Sequence, residues 1–440
     1  MRTPCLREPL TLPCGATLPN RLLKSAMTEG LADAAGRPQP AHERLYRRWS
    51  EGGSGTLITG NVMVDGRYLE RPGNVVVEDD SALSALSSWA RAATASGNHV
   101  WMQLSHPGRQ CSKFVANEPV APSAVQLRLG GLFGKPRALR EHEIVEIIAR
   151  YANSAAIARR AGFSGVQVHG AHGYLCSQFL SPRTNLRADA WGGSLQNRAR
   201  FLREVVRAVR ASVGADYPVS VKLNSSDFQR GAFTHEESCQ VAAWLVEDGI
   251  DLLEISGGTY EEARLLGLGR SDGSGDGKAE STRRREAYFL EYASAIRQAA
   301  PVPLAVTGGF RSRSAMESAL SLGLIDVVGL ARPLCTEPEL AGRLLAGAVE
   351  CARRDESRLL MGSGWFGPNS SNATLRGLNA QAQTAWFYQQ ILQLAADQPI
   401  AETLSARRAL LRHVRREYSL AKERRKLLRE APLLLPRAES

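Results

Sequence analysis

Two imidazoles and a phenol lie close together in the segment VQVHGAHGYLCSQF: His169, His172 and Tyr174. A strand-like VQVH run ends at His169, and Gly170 and Gly173 bracket His172. The spacing predicts a strand that turns sharply and presents all three side chains at its end. An imidazole N–H can bind a carbonyl oxygen, and a phenol can donate a proton. The HxxH spacing would also suit zinc, although no third ligand stands nearby; two structural histidines in a turn are the plainer alternative. Lys222, in VSVKLN, is the next candidate. A lysine within a barrel is costly without an anion beside it. Three readings fit: a cation serving an anionic cofactor, an ion pair with a carboxylate such as Glu254, and a Schiff-base nucleophile at a strand end. Finally, LAVTGGFRS supplies Gly308, Gly309 and Arg311, and DVVGLARP supplies Gly329, Ala331 and Arg332. Loop amides beside an arginine suit a phosphate.

Those residues need a frame. Short β-rich runs recur at Arg21–Thr28, Thr56–Met63, His99–Leu104, Gly165–His169, Val219–Asn224, Leu252–Ser256, Leu304–Gly308 and Asp326–Leu330. VSVKL, LLEIS, LAVTG and DVVGL read as apolar on both faces, as buried parallel strands do. Helical stretches alternate with them. Glu141–Ala161 carries Ile144, Ile147, Ile148, Tyr151, Ala155 and Ala158 on one stripe, and Asn197–Val213, His235–Asp248, Glu286–Ala300, Ser312–Leu322 and Pro338–Ala348 follow; Ser194 reads as an N-cap. Strand–helix alternation through eight units predicts an α/β fold, a (β/α)8 TIM barrel, in which the loops after strands seven and eight form a phosphate site. The barrel is expected over residues 1–350, a linker over 351–380, and a helical, basic C-terminal extension over 381–440, with one amphipathic helix at Gln381–Ala396. Two long loops, 107–140 and 257–285, leave the C-terminal ends of strands, where lids and specificity elements sit; surface insertion is the alternative.

The segment from His169 onward, HGAHGY followed by SPRTNLRADAWGGSLQNRARF, resembles the old yellow enzyme family, and the resemblance covers roughly the whole barrel. It implies an FMN-dependent oxidoreductase of the ene-reductase type. In that reading NADH or NADPH delivers hydride to FMN, which passes it to the β-carbon of an electrophilic, α,β-unsaturated alkene. The resemblance gives His169 and His172 the substrate's activating group and Tyr174 the proton for the α-carbon. KSAMTEG aligns Ser25, Ala26, Met27 and Thr28 with the family's flavin-edge run; Ala26 replaces the usual proline. Asn61 stands where alanine is frequent, and QLSHPGR places Gln103 on the flavin's pyrimidine side. Lys222 stands where many relatives carry arginine, yet a fixed cation would still stabilise reduced flavin. Gly308, Gly309 and Arg332 match the phosphate loops, with Ala331 in place of a more usual glycine.

The rest of the composition sets bounds. The chain is 43% hydrophobic and 22% charged, enough for a large core. No apolar run is long enough for a signal peptide or a membrane span. Seven scattered cysteines without a CxxC pair argue for free thiols in a reducing, cytoplasmic compartment, and against zinc or an iron–sulfur cluster. A dienoyl-CoA reductase type, with a cluster and a second dinucleotide domain, is therefore not expected. The net charge is +11, but residues 401–440 hold eleven Lys/Arg against five Glu. Nucleic acid is not an expected partner; the basic tail suits an acidic partner or a membrane surface, or packs on the barrel with a solvated face. Homo-oligomerisation is open. A Lys222 lyase, a flavin-binding barrel without turnover, and a scaffold acting through its tail are the rival functions.

Overall fold

The computed structural model describes residues 5–128, 131–256, 292–362, 364, 367 and 370–430. Eight strands pair in parallel: β1 (Leu22–Lys24), β2 (Thr56–Met63), β3 (His99–Ser105), β4 (Gly165–Gly170), β5 (Val219–Asn224), β6 (Leu252–Ser256), β7 (Leu304–Thr307) and β8 (Val327–Leu330). Each bonds to the next, and β8 returns to β1, so no edge is left open. The expected (β/α)8 barrel is what forms. Strand β1 is shorter than the expected Arg21–Thr28, because after Ser25 N–H donates to Leu330 O the chain leaves the ladder.

Helices cross over between strands: α1 (Pro40–Glu51), α2 (Leu83–Ala93), α3 (Glu141–Arg160), α4 (Leu195–Val213), α5 (His235–Glu247), α6 (described over 292–299), α7 (Arg313–Ser321) and α8 (Leu340–Ala346). Local chemistry starts several of them. Ser194 accepts from Asn197 N–H, Ser312 from Ala315 N–H, and Thr234 forms a capping box with Glu237. Helix α3 buries Ile144, Ile147, Tyr151, Ala155 and Ala158 of the expected stripe, while Ile148 at its edge is half-buried.

The barrel interior is layered. At its base, Leu23, Ile58, Trp101, Leu252, Ala305 and Val327 pack with Leu12 and Leu18, which come from a hairpin (Leu10–Thr11 with Thr17–Leu18) lying before β1. Above that plug the inner face turns polar. Gln103 Nε2 donates to Gln167 Oε1 at 2.7 Å, and Gln167 Nε2 donates to Glu254 Oε2 at 2.8 Å. Thr307 Oγ1 donates to Glu254 Oε1 at 2.5 Å, which leaves Ser25 Oγ to donate to Thr307, also at 2.5 Å. Strands β5 and β6, expected to be apolar on both faces, are thus polar inward at Lys222 and Glu254.

Beyond the barrel lie α9 (Ala373–Ala395) and α10 (Ala406–Glu430). Helix α9 starts well before the expected Gln381, because Asn372 Oδ1 accepts from Thr374 N–H at 2.9 Å and Leu375 N–H at 3.4 Å. It packs on α1 and on the turn Arg332–Cys335, and Trp386, Phe387, Ile391 and Leu394 join the outer core. Helix α10 is docked on loops that follow β1 and β2. Arg416 donates to Gly30 O at 3.0 Å, and Arg424 to Ala34 O at 2.8 Å and Gly66 O at 2.7 Å. Part of the basic charge read as partner-seeking therefore satisfies loop carbonyls. In the loop 107–140, Val120–Ala121 pairs with Arg137–Ala138; the expected loop 257–285 lies outside the described residues. Among the described residues, no helix is long and apolar enough to cross a membrane.

Candidate active site

Strand β4 ends on Gly170, where a Cβ would stand 2.9 Å from Lys222 O. Gly170 is thus required by the close approach of β5 rather than by a turn. The turn itself falls at His172 (φ 60°) and Gly173 (φ 76°), both in the left-handed region. It carries Tyr174 to the mouth of a short helix, Leu175–Leu180. The rings converge: His169 and His172 centroids are 5.1 Å apart, and those of His169 and Tyr174 are 4.7 Å apart, both pairs edge-on.

These three side chains line a cavity of about 220 Å³ at the C-terminal end of the barrel. Ala26, Met27, Thr28, Asn61, Gln103, Lys222 and Arg332 line it too, so most of the candidate residues are brought to one place. Ser25 does not reach it and lies below, bonded to Thr307. Gly308, Gly309 and Ala331 are also absent from its wall; they sit at the rim after β7 and β8, where Gly308 is exposed and the other two half-buried. The wall has members that the sequence did not single out: Glu70, Cys335, and Thr384, Phe387, Tyr388 and Ile391 from α9.

Burial, then the neighbouring His172 and Lys222, hold His169 well below the usual histidine range. Burial and Lys222 hold His172 down at about 3. Both rings are therefore neutral at neutral pH, each with one N–H donor. His169 Nδ1 accepts from Ala171 N–H at 3.3 Å, which puts its proton on Nε2. His172 Nε2 lies 2.7 Å from Ser256 Oγ.

Lys222 Nζ lies 2.9 Å from Glu254 Oε1 while also lining the cavity. The ion-pair reading and the cofactor-cation reading thus hold together. Burial works against the Glu254 carboxylate, but Lys222, Thr307 and Gln167 hold it below its ordinary value. An ammonium held by a carboxylate has no lone pair with which to attack a carbonyl, which disfavours Schiff-base chemistry.

The donor set fits a flavin nucleotide. Asn61 Oδ1 is a buried acceptor without a protein partner, suited to a ring N–H, while its Nδ2 donates to Glu70 Oε2 at 2.7 Å. Thr28 Oγ1 donates to that same oxygen at 2.9 Å. At the β7–β8 rim, Glu356 Oε1 lies 2.6 Å from Arg311 Nη2 and 3.3 Å from Arg332 Nη1. Two guanidinium groups around one carboxylate oxygen make a site where an anion is stable. Neither Glu70 nor Glu356 carries a local sequence signal, since each acquires its role only when distant loops meet. Among the described residues, no group of three or more His, Cys, Asp or Glu is arranged to hold a metal ion.

Residues 6–349 match the NADH:flavin oxidoreductase / NADH oxidase family. An NADH-dependent flavin oxidoreductase of Hypocrea jecorina is 40% identical over 352 residues, covering 76% of this chain and 86% of the relative. An NADPH dehydrogenase of Halalkalibacterium halodurans is 30% identical over 325 residues, covering 74% and 89%. Among solved structures, the old yellow enzyme homologue of Zymomonas mobilis superimposes with a TM-score of 0.67 at 25% identity, covering 79% of this chain and 94% of that one. A 2-naphthoyl-CoA reductase gives 0.71 at 27% identity, but this chain, 78% covered, spans about half (52%) of it. Helices α9 and α10 lie beyond the family match. The chain belongs to the NADH:flavin oxidoreductase / NADH oxidase family, and it is an NAD(P)H-dependent flavin oxidoreductase.

Proposed function

We propose that this enzyme holds FMN in the barrel mouth and reduces the C=C bond of a small α,β-unsaturated carbonyl compound. One observation carries the reading: two neutral imidazoles and a phenol converge on a cavity that a buried ammonium also lines. When bound, the flavin would take hydride from the reduced nicotinamide and give it to the alkene's β-carbon. The chain's own groups do the rest. Lys222 places positive charge where the reduced ring becomes anionic, and Glu254 keeps that ammonium fixed. Thr28, Asn61 and Gln103 orient the ring edge, and Arg311 and Arg332 with the Gly308–Gly309 and Ala331 loops take the phosphate. His169 and His172, as neutral donors, polarise the substrate carbonyl without releasing a proton. Tyr174 gives its phenolic proton to the α-carbon.

The cheapest test is spectroscopic. Purified protein should be yellow, its blue-absorbing band should bleach with NADH or NADPH in the absence of oxygen, and the chromophore released on denaturation should co-migrate with FMN. A colourless protein that takes up no FMN on titration would remove the proposal; release of FAD instead would correct the cofactor.

A further inference from the structure

Of the two loops in which specificity was expected, the described residues of 107–140 contribute none to the cavity wall. The wall instead includes α9, a helix beyond residues 6–349 that match the family. Thr384, Phe387, Tyr388 and Ile391 stand at i, i+3, i+4 and i+7, which places them on one helix face. That face is fixed. Phe387 and Ile391 belong to the outer core, and the neighbouring Trp386 Nε1 donates to Leu404 O at 2.9 Å. The Tyr388 ring packs between the Arg71 guanidinium, 4.4 Å from its centroid, and the stacked His413 ring at 5.2 Å. Chemically the face is two aromatic rings, one branched aliphatic chain and two hydroxyls, those of Thr384 and Tyr388, with no charge.

We propose that this face of α9 is the substrate-selecting wall and that it sorts uncharged electrophilic alkenes by size. The proposal rests on the alkene-reduction reading and adds a specificity-determining surface to it. A flat carbon skeleton buries apolar surface against Phe387 and Ile391 while its carbonyl reaches the histidines. A carboxylate set against the same wall would lose its water without gaining a partner. Because the wall is packed into the core, it discriminates by size. One methylene in such a pocket is worth about 10- to 200-fold.

The test uses the flavin-loaded full chain, 2-cyclohexenone and a bulkier ring-substituted cyclohexenone, with Kd read from perturbation of the flavin absorbance and turnover from NADH consumption. Phe387→Ala should shift the Kd ratio of bulky to small ketone about tenfold or more toward the bulky one. Phe387→Trp should shift it the other way, and FMN affinity should stay as in the parent. Phe387→Leu keeps an apolar core and gives a smaller shift of the same sign should the alanine variant not fold. If the Kd ratio stays fixed while FMN affinity falls, the face touches flavin rather than substrate, and the proposal is overturned. It is overturned equally if the parent binds anionic enones as tightly as uncharged ones. Enones that bind, with the expected ratio shifts, but are never reduced would sink the alkene-reduction reading alone.

Discussion

Replacing Tyr174 with phenylalanine is expected to slow reoxidation of the NADH-reduced protein by a simple enone by about 100- to 10,000-fold, the usual contribution of a positioned acid. NADH should still bleach the flavin band at nearly the parent rate. The two steps differ in what they ask of the protein. Accepting hydride from nicotinamide needs no proton delivered to carbon. Hydride arriving at the β-carbon of an enone leaves enolate-like charge, and that charge must be protonated at the α-carbon. Tyr174 is buried with its ring 4.7 Å from His169, so phenylalanine keeps the packing and removes only the donor. Changing His169 and His172 together to alanine should behave differently, weakening substrate binding as well as turnover, because the neutral N–H donors act on the bound carbonyl. Rapid-mixing absorbance separates the two steps. If Tyr174→Phe slowed bleaching by NADH and left enone reoxidation intact, the proton would have to come from elsewhere.

The second large effect is on stability. Glu417 of α10 pairs with Arg71 at 2.5 Å, and the two residues are only 9% and 7% exposed. Glu417→Ala strands a buried guanidinium above the Tyr388 ring. Removing one partner of a buried pair costs about 3–5 kcal/mol, because the remaining charge has lost its solvent and its counterion. The apolar double replacement, Arg71→Met with Glu417→Leu, should be markedly milder than Glu417→Ala, since no charge is left uncompensated. Truncation after residue 400 should likewise reduce soluble folded protein, because it removes Leu404 and His413 from α9 as well as Glu417 from Arg71. Denaturant unfolding of the flavin-loaded chain measures both variants. A Glu417→Ala cost within the roughly 0.5 kcal/mol of ordinary surface changes would mean α10 is an appendage after all.

What was readable in the sequence was local. The VQVH run, the Ser194 cap and most of the α3 stripe are each decided within a few residues, and the barrel follows from eight repetitions of that pattern. The polar interior of β5 and β6 was harder to read. Alternation in strands buried on both sides is weak, so the Lys222–Glu254 pair was one of three readings until the register of β5 and β6 set the two side by side. The cavity's remaining parts come from distant chain. Glu70 becomes a site residue only because the loop after β2 folds back onto Thr28 and Asn61. Helix α9 was legible as amphipathic, but no periodicity says what an apolar face will cover. The charge of α10 was legible as well, although Arg416 and Arg424 turn out to serve backbone carbonyls and Glu417 to anchor Arg71.

The central claim is that this barrel passes reducing equivalents to an activated alkene, with Tyr174 supplying the proton. The most direct measurement is anaerobic. The protein is reduced with NADH in D2O and mixed with 2-cyclohexenone, while the flavin band is followed and the product is analysed by mass spectrometry and NMR. The account predicts that the band returns, that cyclohexanone forms in equal amount to the flavin reoxidised, and that deuterium enters the α-carbon. The opposite result is a band that NADH bleaches and that stays bleached across cyclic and acyclic enones, recovering only with oxygen or a quinone. That outcome would leave a flavin oxidoreductase in place and contradict the alkene chemistry proposed for it.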